Sequence, residues 1–223
     1  MHRRRNGCDM TGHCGPGASG RPGTSTPRPM KAEDAPEVIE LHWRFFPAAS
    51  GRRFIGRAYY PTLLDTGSTG FGFVEVRSGK VVGFLAGALD SRALHKALVH
   101  RNFADCLFAV ARVTFAGWSD SARALRTLRY FLSGSASREG AWIFFVAVDE
   151  SCRNQGTAER LIAASVNYCR SQGLARCWIR TPKTNVAMQR VLKKTGFQVY
   201  ADGCGIAENR FIYFLDLGQG AAR

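Results

Sequence analysis

The segment from residue 141 to residue 173 constrains the fold of this 223-residue chain more than any other. It opens with Ala141–Val148 (AWIFFVAV), which has no polar position and therefore predicts a strand buried on both faces. Gly173 predicts a left-handed helix stop. Between them, residues at helical spacing predict an amphipathic helix: Leu161, Ile162, Ser165, Tyr168 and Cys169. The loop that joins strand and helix therefore lies at the end of a buried strand.

That loop, Arg153-Asn154-Gln155-Gly156-Thr157-Ala158, predicts a binding site for phosphate, and we call it the phosphate loop. The first N–H groups of a helix lack partners, and the helix dipole adds partial positive charge there. Gly156 lets the main chain approach an anion, Ala158 keeps the first turn slim, and Arg153 adds a full charge. The loop has neither the Gly-Lys-Ser/Thr ending of a P-loop nor the three spaced glycines of a Rossmann fingerprint.

Two motifs carry a resemblance to a known family. Arg153, Gly156 and Ala158 fill the pattern Arg/Gln-x-x-Gly-x-Gly/Ala, which resembles the acyl-CoA signature of the GNAT N-acetyltransferase superfamily. The segment from Asn185 to Phe197 resembles the second motif of that family, Asn-x-x-Ala-x-x-x-Tyr-x-x-x-Gly-Phe. The resemblance covers residues 27–218, and its specific motifs lie between 146 and 197.

The remaining elements follow the order of that family. Leu174–Thr181 predicts a second strand, followed by a helix that Thr184 or Asn185 caps and that runs to Lys193 and Lys194 before Gly196. The other predicted elements are a first strand from Arg28 to Ala35 leading into a helix at Val38–His42, a hairpin of Phe71–Arg77 and Val81–Ala88, and a last strand from Arg210 to Leu217. The resemblance implies an α/β (α+β) fold with a mixed, mostly antiparallel central sheet flanked by helices.

Composition divides the chain into a tail and one domain. Residues 1–26 are rich in Gly, Pro, Ser, Thr and Arg and predict a disordered basic tail, and residues 27–218 form the domain. Residues 91–138 fall between the third and fourth strands, where a plain member of the superfamily has a short turn. Helical spacings, continued by a second short helix from Ser121 through Phe131, predict that this segment is a helical insertion.

The net charge of +14 requires an explanation in terms of partners. The insertion holds eight Lys or Arg residues against two Asp residues. Three interpretations of this basic segment stay open. It is a solvated cap, or a wall that attracts an acidic, phosphorylated or nucleotide-linked acceptor or an anionic membrane surface, or, with the weakest support, a surface for nucleic acid. The sequence shows no motif for specific nucleic-acid recognition and no run long and apolar enough to span a membrane.

Seven cysteines without a pairing framework predict a reducing, cytoplasmic location. No metal site is predicted, because Cys8, His13 and Cys14 lack the usual four-ligand spacing. Cys152, directly before the phosphate loop, is predicted to be a small inert residue. The sequence leaves monomer and homodimer open.

The resemblance implies acetyl-CoA as co-substrate and assigns binding roles to particular residues. Backbone groups of the strand end at Val146, Ala147 and Val148 would pair with pantetheine, and the phosphate loop would bind the pyrophosphate. Asn185 would face the pantetheine arm or the leaving sulfur, or simply cap its helix. The implied reaction is direct attack by a primary amine of a small molecule, such as an amino sugar, in a ternary complex. A non-catalytic acyl-CoA-binding module and a protein N-acetyltransferase are the alternatives.

The catalytic side chains are unknown, because the sequence departs from the family pattern at their usual positions. The family's Ala falls at Met188, its proton-donating Tyr at Leu192, and the frequent basic Glu of the central strand at Phe144. Possible substitutes, none preferred, are Tyr200 as acid, and Glu75, Asp90, His95 and His100 as bases, with Glu75 and Asp90 expected on the acceptor side.

Overall fold

A computed structural model describes residues 25–46, 55–65, 69–101, 138–200 and 209–218. Its strands are β1 (Arg28–Pro29), β2 (Gly70–Arg77), β3 (Lys80–Ala88), β4 (Ala141–Val148), β5 (Arg176–Pro182), β6 (Gln198–Val199) and β7 (Arg210–Asp216). Its α-helices are α1 (Ala35–Phe45), α2 (Tyr60–Asp65), α3 (Ser91–Arg101), α4 (Thr157–Ser171) and α5 (Val186–Lys194). Short 3-10 helices, Ala32–Asp34 and Glu150–Cys152, precede α1 and α4, and a π-helical turn, Ile55–Tyr59, leads into α2.

The described strands form one sheet in the order β1-β2-β3-β4-β5-β7-β6. β4 and β5 run parallel, and every other neighbouring pair is antiparallel. The parallel pair needs a long crossover connection, and α4 supplies it. The predicted mixed, mostly antiparallel sheet flanked by helices is therefore confirmed.

Helices cover both faces of the sheet, and each face has its own apolar core. On one side α1, α2 and α3 bury residues such as Val38, Leu63 and Leu94 against Phe84 of β3. On the other side α4 and α5 bury a second set against the strands: Leu161, Ile162, Val166, Cys169 and Leu192. Burial of these side chains is the main favourable term that holds the layers together.

The predicted hairpin is confirmed, with Ser78 and Gly79 at positive φ angles of 49° and 75° in its turn. The first strand is shorter than predicted. Only Arg28 and Pro29 pair with β2, since the chain turns into a 3-10 helix after Lys31. The carboxylate of Asp34 fixes this turn by accepting hydrogen bonds from the Arg28 guanidinium, both at 2.7 Å, and from Lys31 N at 2.8 Å.

Some predictions fall outside the described residues. They are the tail as far as residue 24, with Cys8, His13 and Cys14, and residues 102–137 of the insertion, with the second short helix at 121–131. The first part of the predicted insertion is helical, as α3. None of the described helices is both long enough and apolar enough to cross a bilayer.

Candidate functional site

A gap opens between β4 and β5 along the second half of β4. Pairing with β5 ends at Ile143, opposite Ile179, whereas pairing with β3 continues as far as Val148. A bulge at Phe144 bends the strand where this gap begins, since Phe144 is the extra residue between two consecutive partners on β3. Within the described residues, the backbone of β4 after Ile143 therefore has no strand partner on its β5 side.

The gap corrects the prediction that all of β4 is buried on both faces. Ala141, Trp142 and Ile143 are buried, but Phe144, Phe145, Val146 and Val148 are only half-buried. Val146, Ala147 and Val148 thus line an accessible cleft, whereas Phe144 and Phe145 pack against the apolar core on the α1 side.

The phosphate loop connects β4 to α4 as predicted. Asp149 begins the connection by accepting a hydrogen bond from Ser151 N at 3.0 Å, which caps the 3-10 helix. Asn154 and Gly156 have left-handed backbones, with φ angles of 59° and 74°. Gly156 is the N-cap of α4, and the last two loop residues, Thr157 and Ala158, begin that helix, so its first free N–H groups lie within the loop.

The gap and the phosphate loop border one cavity of about 650 Å³. Five groups of residues line it: Phe45 and Phe46 at the end of α1; Val146, Ala147 and Val148; Cys152, Arg153, Asn154 and Gly156; Thr157, Ala158 and Glu159; and Asn185, Ala187, Met188, Arg190, Val191 and Lys194. The cavity thus brings together nine of the ten predicted binding residues. Gln155 is the exception. Its side chain bonds to Arg77 and to the carbonyl of Ser151.

The rim of the cavity is cationic. Arg153, Arg190 and Lys194 are exposed lining residues, and Glu159 is the acidic lining residue, 2.7 Å from the Lys194 ammonium. Arg153 lies over the ring of Phe45, with 5.0 Å between the guanidinium carbon and the ring centroid. These four side chains leave a net charge of two positive units beside the N-terminus of α4, which favours a ligand with several phosphate charges.

Asn185 is the N-cap of α5, because its Oδ1 accepts a hydrogen bond from Met188 N at 3.1 Å. The structure thus confirms the helix-cap interpretation for Oδ1. The same side chain also lines the cavity, and its Nδ2 donor is not used by the cap.

The two residues that replace the family's usual catalytic Tyr and Glu, Leu192 and Phe144, lie in apolar surroundings. Leu192 is fully buried in the core beneath α5, and Phe144 occupies the bulge of β4. Tyr200, one proposed acid, packs edge-on against Trp178 with ring centroids 5.4 Å apart, beneath the guanidinium of Arg138 at 4.5 Å. Tyr200 therefore belongs to an aromatic cluster and does not line the cavity.

The candidate bases differ in what they contact. Asp90 caps α3 by accepting hydrogen bonds from the backbone N–H groups of Arg92 and Ala93 at 2.8 and 3.0 Å. His100 is exposed near the end of α3. His95 is half-buried on the same helix, with its ring centroid 6.1 Å from that of Phe144. Burial lowers the pKa of His95, and a backbone hydrogen bond with Ser91 partly offsets that effect.

The expectation that Glu75 lies on the acceptor side is wrong. Glu75 is fully buried and accepts hydrogen bonds from Arg160 and Thr157 of α4, beneath the phosphate loop. Sequence spacing did not predict this contact, because more than 80 residues separate Glu75 from these partners.

Comparison with known proteins identifies the family of this chain. The model of the "Acetyltransferase (GNAT) family" matches residues 35–197, which is most of the chain. Three crystal structures have similar folds. SsHAT is 13% identical with a TM-score of 0.62, and the match covers 86% of this chain and 97% of that one. Arabidopsis thaliana NAA60 in complex with acetyl-CoA is 15% identical with a TM-score of 0.54, and the match covers 86% of this chain and 98% of that one. Ard1 from Thermoplasma volcanium is 18% identical with a TM-score of 0.51, and the match covers 86% of this chain and 97% of that one. Among curated proteins, none matches this sequence. The family match shows that the chain belongs to the acetyltransferase (GNAT) family and is an N-acetyltransferase with acetyl-CoA as its co-substrate.

Proposed function

We propose that the cavity between β4 and α5 binds acetyl-CoA and that the enzyme transfers its acetyl group to a primary amine of a small molecule, such as an amino sugar. The observation that carries this proposal is the combination, in one cavity, of an unpaired strand edge and a cationic helix N-terminus. The first suits an extended arm with amide groups, and the second suits a pyrophosphate.

Each part of the cavity has a distinct task in this proposal. The backbone groups of Val146 and Val148 hold the pantetheine arm as an additional strand would. Arg153, Arg190 and Lys194 attract the phosphates, and the first N–H groups of α4 hold the pyrophosphate. Nδ2 of Asn185 donates to the arm or to the leaving sulfur while Oδ1 caps α5. Such positioning supplies much of the rate gain in a direct transfer, because both reactants are held in one ternary complex.

His95 is the candidate base that the described contacts favour. The amine must lose a proton before it attacks, and the Glu that many relatives place on β4 is replaced here by Phe144. His95 lies beside that position, whereas the carboxylates of Glu75 and Asp90 are engaged elsewhere. Its lowered pKa keeps the imidazole neutral, and so able to accept a proton, at neutral pH.

The acceptor is tested with a panel of amines and detection of free thiol. The panel should contain amino sugars, polyamines, aminoglycosides and peptides with free amino groups, each with and without a phosphate or carboxylate group. We expect thiol release above background hydrolysis with a small amine, and more of it with acidic members if the basic insertion attracts the acceptor. Release with peptides alone would identify a protein N-acetyltransferase. If no amine in the panel gives thiol release above background hydrolysis, the result would support the non-catalytic alternative.

The donor site is tested with two matched glycine variants. Gly156 and Gly173 flank the two ends of α4 and have nearly equal φ angles of 74° and 72°. Alanine at either position forces a left-handed backbone on a residue with a Cβ atom, which costs about 1–2 kcal/mol. Only at Gly156 would this Cβ disturb the phosphate loop, where it would lie 3.1 Å from Arg160 Nη1.

Calorimetry with acetyl-CoA separates the two variants. We expect Gly156→Ala to weaken binding at least about tenfold and Gly173→Ala to bind like the wild type, although both lose similar stability. Equal affinities for Gly156→Ala and the wild type would mean that the phosphate loop is not the pyrophosphate site.

A further inference from the structure

An ion-pair network centred on a buried carboxylate lies beneath the phosphate loop, and its member Thr157 also lines the cavity. Its centre is Glu75 of β2, which has no exposed surface. Arg160 donates to both carboxylate oxygens, from Nη2 to Oε1 at 2.6 Å and from Nε to Oε2 at 3.0 Å. Arg77 donates to Oε1 from Nη2 at 2.9 Å and from Nε at 3.2 Å. The hydroxyl groups of Ser25 and Thr157 complete the set at 3.1 and 3.3 Å.

Both guanidinium groups extend from Glu75 to the same residue of the phosphate loop. Nη1 of Arg160 donates to the backbone carbonyl of Gln155 at 2.8 Å. Nη1 of Arg77 donates to Oε1 of the Gln155 side chain, whose Nε2 donates to the carbonyl of Ser151 at 3.1 Å. The network thus fixes Gln155 through its main chain and through its side chain.

Gln155 lies between the two left-handed residues of the loop, Asn154 and Gly156. A left-handed backbone is unfavourable for a residue with a side chain and persists where the surroundings hold it in place. Successive residues that alternate right-handed and left-handed backbones point their N–H groups into a concave surface that suits an anion. The contacts to Gln155 therefore act on the part of the loop whose geometry determines anion binding.

The opposite strand is adapted to the network. Gly83 of β3 pairs with Glu75, and a Cβ atom at Gly83 would lie 3.0 Å from Thr157 Cγ2 and 3.2 Å from Leu161 Cδ1. The absence of a side chain there lets the first turn of α4 pack closely on the sheet. This close packing places Arg160 within reach of Glu75.

Glu75 is ionised in this environment. Burial by itself raises the pKa of the carboxyl group, but hydrogen bonds from Arg160 and Arg77 lower it by more, so the pKa lies below its ordinary value. Two guanidinium groups and one carboxylate leave one net positive charge beneath the loop.

We infer that Glu75 is a positioning residue for the donor, which holds Arg160 and Arg77 so that they fix Gln155 and shape the phosphate loop for pyrophosphate. This inference rests on the proposed function of the loop. Glu75 does not line the cavity itself and reaches its lining through Thr157, so its effect should fall on donor binding and not on the chemical step.

Glu75→Gln tests the inference, because it keeps the size of the side chain and removes its charge. If charge alone mattered, removal of a negative charge near the loop would tighten the binding of a phosphate ligand. Positioning predicts the opposite sign. We expect the KM and the Kd for acetyl-CoA to rise about tenfold or more, with kcat changed by less than about twofold. The KM for acetyl-pantetheine, which lacks the pyrophosphate, should not change.

Asp34→Asn is the matched control. Asp34 is also a buried carboxylate held by an arginine, Arg28, with both hydrogen bonds at 2.7 Å, but this pair lies at the β1 edge of the sheet. The control should lose stability and keep the KM for acetyl-CoA. If Glu75→Gln does not fold, Arg77→Met provides a second comparison, because it removes the Arg77 contact to the Gln155 side chain while Glu75 stays paired with Arg160. We expect the KM of this variant for acetyl-CoA to rise about as much, and its KM for acetyl-pantetheine to stay unchanged.

Three results would overturn the inference: an unchanged or lowered KM for acetyl-CoA in Glu75→Gln or, where that variant does not fold, in Arg77→Met; an equal rise for acetyl-pantetheine; or an equal rise in Asp34→Asn. Failure of the proposed function is recognised separately. If the proposed function fails, Gly156→Ala binds acetyl-CoA as tightly as the wild type. If the inference alone fails, Gly156→Ala binds acetyl-CoA more weakly than the wild type, whereas Glu75→Gln binds it equally well.

Discussion

Replacement of His42 and Tyr60 by phenylalanine should make the stability of this fold less sensitive to acid. His42 of α1 is fully buried, and its Nδ1 lies 2.9 Å from the hydroxyl of Tyr60. Its ring packs against Phe145, with centroids 4.4 Å apart. Nε2 is buried and has no hydrogen-bond partner among the described residues. Burial therefore disfavours the imidazolium and lowers the pKa of His42 from 6.5 to about 4.

The sign and size of the effect follow from proton linkage. The unfolded chain binds a proton at His42 below about pH 6.5, whereas the folded chain does so only near pH 4. His42 therefore destabilises the fold progressively as the pH falls from 6.5 to 4, and the loss stops below that range. Between pH 7 and pH 5 the loss amounts to about 2 kcal/mol.

Urea unfolding followed by tryptophan fluorescence at pH 7 and pH 5 measures this loss. The double variant His42→Phe/Tyr60→Phe replaces both hydrogen-bond partners, so neither leaves an unpaired buried group. From pH 7 to pH 5, the free energy of unfolding should therefore decrease by about 2 kcal/mol less in the double variant than in the wild type. His100→Gln, at an exposed position on α3, should follow the wild type. If wild type and double variant lose the same stability between the two pH values, the reasoning about His42 is refuted.

Three further predictions concern the cavity and its surroundings. Asn185→Ala should lower the stability by about 1 kcal/mol through loss of the cap, whereas Asn185→Asp should keep the stability and weaken acetyl-CoA binding in calorimetry. The kcat/KM of the wild type should decrease as the pH falls through the lowered pKa of His95, and a pH profile of His95→Gln that retains this limb would exclude His95 as the base. Leu192→Tyr should lower the melting temperature without a gain in thiol release, because Leu192 is fully buried and a tyrosine overpacks the core.

Local patterns were sufficient to predict the elements around the phosphate loop. The apolar run of β4, the helical spacing of α4 and the left-handed stop at Gly173 are each encoded within a few residues, and each is present in the structure. Nine of the ten predicted binding residues line one cavity for the same reason, since they belong to two short continuous segments and one helix cap.

Contacts between distant segments could not be predicted in the same way. Phe45 and Phe46 reach the cavity only because α1 packs on the face of the sheet beside β4. The open backbone edge of β4 depends on where its pairing with β5 stops, and no residue pattern within β4 marks that point. The partners of Glu75 lie on a helix more than 80 residues away, so its acidic side chain on a strand was indistinguishable from a solvated one.

The short pairing between β4 and β5 has a consequence for how the domain unfolds. Within the described residues, three backbone positions form the seam that joins the four strands on one side of the sheet to the three on the other. Backbone pairing across a seam of this length contributes little, so the apolar core under α4 and α5 is the main link between the halves. We expect the half with β5, β6 and β7 to open at a lower free energy than the half with β1 to β4. A donor bound along the open edge of β4 would bridge the two halves. Amide hydrogen exchange in β5 and β7 should therefore slow on addition of acetyl-CoA more than exchange in β2.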